Sequence, residues 1–435
     1  MDRVSAAYDA SDHDSRPEAC VWPMETGQVS KILAFAHEND MAVTPRGAGT
    51  GLAGSAVPLG GGLVLDLCRM NRILDVRIDD RLVKVEAGVV HEDLEQRLAP
   101  SGFFYPPDPA SGRVCTLGGN VATNAGGLKC AKYGVTRNYV LGLEVVLADG
   151  RVMRTGSECM KSVSGYDLTG LFVGSEGTLG VITEITLRVS PRPAAVRTGL
   201  AFFNGLYDAG SAVSGIIRAG VIPSVLELLD KNAIKVLREQ AGMDLPTAEA
   251  MILVETDGHT DAETRFQMNR VVNVFKKNRA VDIQAADSPK AAAELWRGRK
   301  SVGSAASKLR PNNISEDVGV PLSQVPRLLE GISGIVEKQG LPFVVFGHAG
   351  DGNIHPRIMF DRSDPDQLER VKCAAREIFE LSCSLGGTIT GEHGIGVAKA
   401  PFMGLEHDEV EMATMRAMKR LLDPKNILNP GKMDL

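Results

Sequence analysis

Three of the chain's eight histidines fall in two short glycine-rich stretches, GHAGDGNIHP (347–356) and GEHGIG (391–396). His348 and His355 flank Asp351-Gly352, a strong hairpin signal because the turn residues it supplies tolerate φ > 0. If that dipeptide forms a two-residue loop, Gly350 faces Asn353, Ala349 faces Ile354 and His348 faces His355, with opposed Cβ atoms roughly 5 Å apart. Two imidazoles so placed can grip one metal ion, and Glu392 and His393 add a carboxylate and a third imidazole. Any one of these histidines alone would read as an ordinary loop or strand-end residue. Two facing across one turn favour a site.

The elements that would position these groups come in two kinds. The first part of the chain carries three glycine-rich loops: PRGAGTGLAG (45–54), the long PPDPASGRVCTLGGNVATNAGGLKCAKYG (106–134) and GSEGTLGVITEITLRVSPRP (174–193). Glycines 47, 49 and 51 can expose backbone N–H groups as an anion-binding nest, suited to a pyrophosphate. A strand, GLVLDL, follows these glycines where a Rossmann motif would have a long helix, so that reading is rejected. Three glycine loops gathered on one surface make a better dinucleotide site than any one of them. A helix is expected over 25–39 and strands at MAVTP, GLVLDL, ILDVRI, LVKVEAG and 181–189, with a hairpin turning at Asp149-Gly150.

A Pro-flanked boundary near Pro193 then opens longer elements. Helical periods run around 208–219, 229–240, 261–278, 322–339 and 365–385, between the strands AFF and MILVET and the histidine hairpin. This pattern is α+β, with helices over a mainly antiparallel sheet. The domains expected are 1–193, 194–405 with the metal site, and a C-terminal segment 406–435 returning to the first.

Composition narrows the function classes. At 43% hydrophobic, 23% charged and net charge -6, the 435 residues describe a globular chain of more than one core, without the basic stripe of a nucleic-acid binder. The seven cysteines are scattered and contain no C-x-x-C pair, which argues for reduced thiols, a cytoplasmic setting and no iron–sulfur cluster within the chain. No apolar run approaches the roughly 20 residues of a membrane span. Membrane association would need a partner.

Taken together, PRGAGTGLAG, PPDPAS, LGGNVATNAGG, GSEGTLGVITEITL, WRGRK, GHAGDGNIHP, GEHGIG and LDPKNILNPGK resemble the flavin-dependent D-2-hydroxyacid dehydrogenases of the vanillyl-alcohol oxidase superfamily, of the glycolate oxidase flavin-subunit and D-lactate dehydrogenase type. The resemblance covers essentially the whole chain, in order, although family members usually begin some tens of residues earlier. It implies a two-subdomain FAD-binding domain with an α+β cap. It places FAD against Arg46, Gly47, Ala48, Gly49, Thr50 and Gly51, with further contacts at Pro107, Asp108, Ser111, Gly118, Gly119, Ala122, Thr123, Gly126, Glu176, Gly180, Ile182 and Asn429. Relatives with covalent flavin often carry a histidine in the first loop; none is present here, so FAD is expected to be non-covalent, and Cys130 is read as a packing thiol.

The resemblance also implies that His348, His355 and Glu392 bind a divalent ion, zinc first with manganese or iron as alternatives. In that scheme His393 is the base, Arg299 the carboxylate clamp with Arg297 as competitor, and Asn353 orients the site. A two-His, one-carboxylate set leaves open positions for substrate oxygens. Some relatives specific for a hydroxy dicarboxylate carry lysine where this chain has Ser315, which disfavours that substrate. The expected reaction is oxidation of D-lactate or glycolate to the 2-oxo acid. The alternatives are a flavin-carrying subunit that needs an iron–sulfur or other partner for electron exit, a metal-free phenol or alcohol oxidase of the same fold, and a closed four-ligand structural metal site. A homodimer is a further option.

Overall fold

The computed structural model describes residues 2–286 and 288–435. The chain divides into two compact units. One comprises 1–127, 134–192 and 392–435; the other comprises 128–133 and 193–391.

The first unit holds two main sheets. Ala19–Val21, Leu63–Asp66 and Val43–Arg46 run parallel, with the Leu63 strand in the middle. The helix Thr26–Glu38 precedes Val43 and buries Val29, Leu33 and Ala36, the i, i+4, i+7 stripe that its sequence spells. The chain's last segment pairs with this sheet: Val43 N–H donates to Ile427 O at 2.7 Å and Asn429 N–H to Val43 O at 2.8 Å. The second sheet is antiparallel, in the order Ile73–Arg77, Leu82–Glu86, Val181–Arg188, Val140–Val146, Val152–Gly156. Its core includes Val85, Leu143, Val145, Phe172 and Ile185.

The second unit is built on a wholly antiparallel sheet in the order Asp282–Ala285, Ala195–Phe203, Ala250–Gly258, Val225–Asp230, Phe343–His348, Asn353–Phe360, Asn312–Ser315, with Val318–Gly319 also pairing to the Asn353 strand. Alternation along these strands defines two faces. Leu229, Met251, Leu253, Val344 and Met359 meet the helices Lys231–Ala241 and Pro289–Ala306 through Ile234, Leu237, Val302 and Ala306. The helices Leu206–Arg218 and Asp261–Lys277 pack on the sheet's strands as well, and Val325–Gln339 packs on Leu206–Arg218 and on Pro365–Ser384.

The histidine hairpin forms, with a register different from the one expected. The loop has four residues, Ala349 to Gly352, and His348 pairs with Asn353 while Phe346 pairs with His355. The Val225–Asp230 strand accounts for the wider loop: Gly350 N–H donates to Leu226 O at 3.1 Å, so the neighbouring strand captures an amide that a two-residue turn would aim at Asn353. Gly352 still supplies the left-handed conformation, at φ 82°. A slip of two residues keeps every side chain on its face, so His348 and His355 become diagonal neighbours on the same side of the sheet.

Candidate active site

In the second unit, three adjacent strands carry a polar row. Glu227 is paired with His348, and His348 with Asn353, so the three side chains share one face, with His355 two residues beyond Asn353. The imidazole centroids of His348 and His355 are 5.0 Å apart at 80°, and each ring offers a nitrogen within 4.8 Å of the other's. Glu227 Oε1 lies 2.6 Å from His348 Nδ1. That contact makes Nδ1 the protonated nitrogen and leaves Nε2 with its lone pair for an electrophile, the usual carboxylate–histidine arrangement behind a metal ligand. On these grounds the two histidines fit a divalent cation.

The helix Pro289–Ala306, which contains WRGRK, sorts its cations. Arg297 points to solvent beside Glu294, whereas Arg299 is buried, donates from Nε to Glu227 Oε2 at 2.6 Å and stacks 4.7 Å from the Phe346 ring centroid. Burial pushes the Glu227 carboxyl up, but Arg299 and His348 together outweigh it and hold the group below the ordinary glutamate value. Glu227 therefore stays ionised between two cationic or polar partners. It was not singled out from the sequence, because nothing in VLELLD marks its glutamate and the strand that carries His348 lies far along the chain. On the same helix Trp296 Nε1 donates to Glu255 Oε2 at 3.1 Å.

The segment leading to GEHGIG is anchored in the same unit. Gly319 and Thr388 exchange backbone hydrogen bonds at 2.8 and 3.2 Å, and Gly391 N–H donates to Asp317 Oδ2 at 2.8 Å. A Cβ on Gly391 would come within 2.6 Å of Asn353 Cγ, so the backbone presses on the Asn353 carboxamide there. Asn353 Nδ2 also donates to Val318 O at 3.3 Å. Glu392, half-buried, is the next residue in the chain.

Glu392 and His393 line a cleft of about 450 Å³ in the first unit. All three glycine-rich loops contribute to it. The first gives Arg46, Gly47, Ala48, Gly49, Thr50 and Gly51; the second Ser111, Gly118, Gly119, Ala122, Thr123 and Gly126; the third Glu176, Gly180 and Ile182. Pro107, Asp108 and Asn429 lie outside the lining. Thr116 and Asn120, not singled out from the sequence, are in it. Among the described residues, the amides of residues 47–51 donate to no protein acceptor, which suits a phosphate group. Gly118 has no room for a side chain: a Cβ would sit 2.6 Å from Ala87 Cβ and 2.8 Å from Ala87 O. These features fit a dinucleotide. The thiol on the cleft is Cys115 rather than Cys130, and burial raises its pKa, which suppresses thiolate formation.

Glu176 ties the cleft together. Its carboxylate accepts from Ile395 N at 2.7 Å, Gly396 N at 2.8 Å and the Ser55 hydroxyl, so the third glycine loop holds the loop that carries His393. Burial raises its pKa; these donors and Lys432 pull the other way. Asn429 Nδ2 bridges Ser55 O at 2.9 Å and Glu176 O at 2.7 Å, which puts it behind the wall.

The C-terminal domain model of the FAD linked oxidases matches residues 192–433, and an FAD binding domain model matches residues 17–156. The glycolate oxidase subunit GlcD of Bacillus subtilis is 43% identical over 433 residues, 99% of this chain and 92% of that protein. GlcD of Escherichia coli K12 is 39% identical over 423 residues, 97% of this chain and 84% of that one. A D-lactate dehydrogenase of Anaerostipes hadrus is 34% identical over 427 residues, 96% and 90% of the two chains. Among solved structures, p-cresol methylhydroxylase matches with TM-score 0.83 at 19% identity, covering 100% of this chain and 92% of that one. Alkyldihydroxyacetonephosphate synthase matches with TM-score 0.77 at 20% identity, covering 99% and 82%. These two likenesses speak to the fold.

Proposed function

Because the chain belongs to the FAD-linked oxidases and is an FAD-dependent oxidoreductase, we propose that it oxidises a D-2-hydroxy acid, with D-lactate and glycolate the leading monocarboxylates, to the corresponding 2-oxo acid. The observation that carries this reading is the polar row Glu227–His348–Asn353 with His355 beside it, on a sheet whose unit ends at Gly391, one peptide bond before a glutamate and a histidine that line the nucleotide cleft. In this reading His348, His355 and Glu392 hold a divalent cation, and residues 46–51 with the 111–126 and 176–182 walls hold FAD. The bound flavin supplies a two-electron acceptor for the Cα hydride and the cation a Lewis acid for the substrate oxygens.

The protein's own groups have separate tasks. His393 takes the substrate hydroxyl proton at a ring nitrogen. Glu227 keeps His348 in the Nδ1–H tautomer, and Arg299 keeps Glu227 ionised. Asn353, packed under Gly391, orients the peptide that leads to Glu392. Glu176 holds the backbone just beyond His393, fixing where the base can stand. Glu392 and His393 are consecutive residues in a bend of the chain, and both line the cleft.

Anaerobic mixing of the flavin-loaded protein with D-lactate or glycolate, before and after chelation, tests the reading. Bleaching of the flavin bands that stops on chelation is expected. Bleaching that survives chelation removes the cation from the reaction, and a yellow protein that no 2-hydroxy acid bleaches removes the dehydrogenase. That last outcome would favour a second reading, supported by relatives named as subunits: a flavin-carrying subunit that works only with an electron-accepting partner.

A further inference from the structure

The helix Glu409–Leu422 turns one face into the first unit. Met412 and Lys419 are buried on that face, with Met415 and Leu422 half-buried beside them. Lys419 Nζ donates to Thr178 O at 2.8 Å and to Leu428 O at 2.7 Å, which fixes the helix's rotation. At about 100° per residue, the opposite face carries Val410, Ala413, Thr414, Ala417, Met418 and Leu421. All are exposed, Val410 by 75% and Leu421 by 80%, and none is charged. The Thr414 hydroxyl is already bonded to Val410 O at 2.8 Å, so this residue too offers carbon to the outside. Single exposed apolar residues are ordinary, whereas a charge-free face running the length of a helix, opposite its core side, marks a surface that something covers.

The charges of the helix say what covers it. Glu411 pairs with His407 at 3.0 Å, Arg416 with Asp434 and Lys419 with Asp423. Glu409 and Arg420 are exposed and, among the described residues, have no ion-pair partner. They stand about three turns apart and so border the same edge of the apolar face, the acid at its start and the base at its end. An antiparallel second copy, related by a two-fold axis at the middle of the helix, sets Val410 against Leu421 of the other copy, Ala413 against Met418 and Thr414 against Ala417. The same operation brings Glu409 of each copy to within about 3 Å, measured along the axis, of Arg420 of the other, so the ion pair forms twice. A parallel copy would set Glu409 against Glu409 and Arg420 against Arg420. Ala413 and Ala417 let the two helix axes approach closely.

We propose that this face is the interface of a homodimer in which two copies of the helix Glu409–Leu422 pack antiparallel. Contact along a helix about 21 Å long is small for an interface, so the dimer forms at micromolar rather than nanomolar protein. The pairing is independent of the reaction the protein catalyses.

Sedimentation velocity of the flavin-loaded protein, from about 1 μM to about 300 μM, tests it. The weight-average sedimentation coefficient should rise from that of a monomer toward that of a dimer, and the unfolding midpoint should rise with protein concentration. Ala417→Glu, which places a charge near the two-fold axis, should leave a monomer throughout. Glu409→Arg and Arg420→Glu each turn two attractions into two repulsions and should raise the midpoint concentration about 10-fold. An equimolar mixture of these two variants should recover association, because each copy then presents the charge that the other lacks. A protein that stays monomeric at the highest concentration overturns the proposal. So does a dimer that survives Ala417→Glu, or a mixture of the charge variants that associates no better than either alone. A face that binds a different polypeptide while the protein alone stays monomeric overturns it as well. Should Ala417→Glu lose its flavin, the charge variants and their mixture decide, since Glu409 and Arg420 are exposed and lie outside the cleft lining.

Discussion

His348 Nδ1 lies 2.6 Å from Glu227 Oε1, across a strand pair whose partners are separated by more than a hundred residues of chain. The contact does two things at once. It selects the imidazole tautomer that faces the candidate cation, and it gives Arg299 a buried counterion, so the cation ligand and the arginine are coupled through one carboxylate.

Replacing that carboxylate should therefore have two separable effects. Glu227→Gln is expected to weaken metal affinity about 10- to 100-fold, the usual cost of losing such a partner, read by competition with a chromophoric chelator. It should also destabilise the fold by about 3–5 kcal/mol, because Arg299 is left buried without its partner, read by denaturant unfolding. Unchanged metal affinity in a destabilised protein would reduce Glu227 to a structural ion pair.

The two neighbouring residues of GEHGIG should separate cleanly. His393→Ala is expected to keep the flavin spectrum and the metal content while turnover falls about 10²- to 10⁴-fold. Glu392→Gln should lose metal first and activity with it, and activity should return partly at high metal concentration. Normal rates in His393→Ala would remove it as the base.

Glu176 makes a prediction about order rather than chemistry. Glu176→Ala frees two buried amides and a hydroxyl, each worth about 1–3 kcal/mol when left unsatisfied. A lowered unfolding midpoint and faster flavin release are expected. A variant that retains flavin and full turnover would show that the 394–396 backbone holds its position without the clamp.

Stability should also depend on Asp230, which caps the helix Lys231–Ala241 through Ala233 N–H at 2.8 Å. Burial raises its pKa from 3.8 to about 7 against the pull of backbone donors. A carboxyl with a raised folded-state pKa prefers to be protonated in the fold, so its cost is absent below about pH 4, grows as pH rises and is complete above about pH 7. Asp230→Asn keeps a capping oxygen and should remove that slope. The gain over the parent is expected to be of the order of 4 kcal/mol at pH 8 and to vanish near pH 4. An equal difference at both pH values would contradict it.

The sequence carries the fold and much of the site where the determinants are local. Gly47, Gly118 and Gly180 are legible because backbone conformation and close approach leave a residue-type mark, and the Thr26–Glu38 helix because burial leaves a period. The register of the histidine hairpin is not legible, since it depends on Gly350 bonding to Leu226 on a third strand. Glu227 escapes for the same reason. Its importance lies in which strand lies beside it, information held in long-range pairing.

The interleaving of the two units bears on how the chain acquires its structure during synthesis. The second unit is nearly contiguous, 193–391 with the hexapeptide 128–133, and all of it has been synthesised while the last 44 residues of the first unit, 392–435, are still to be made. The first unit starts earlier and finishes later: Val43 waits for Ile427 and Asn429, and Glu176 for Ile395 and Gly396. The nucleotide cleft, begun by residues 45–56, gains its last lining residues with Glu392 and His393. A nascent chain stalled or cut before about residue 391 would carry a complete antiparallel sheet and both hairpin histidines while lacking any wall made by His393. FAD capture is then the final event of biogenesis, and premature termination should leave a colourless product.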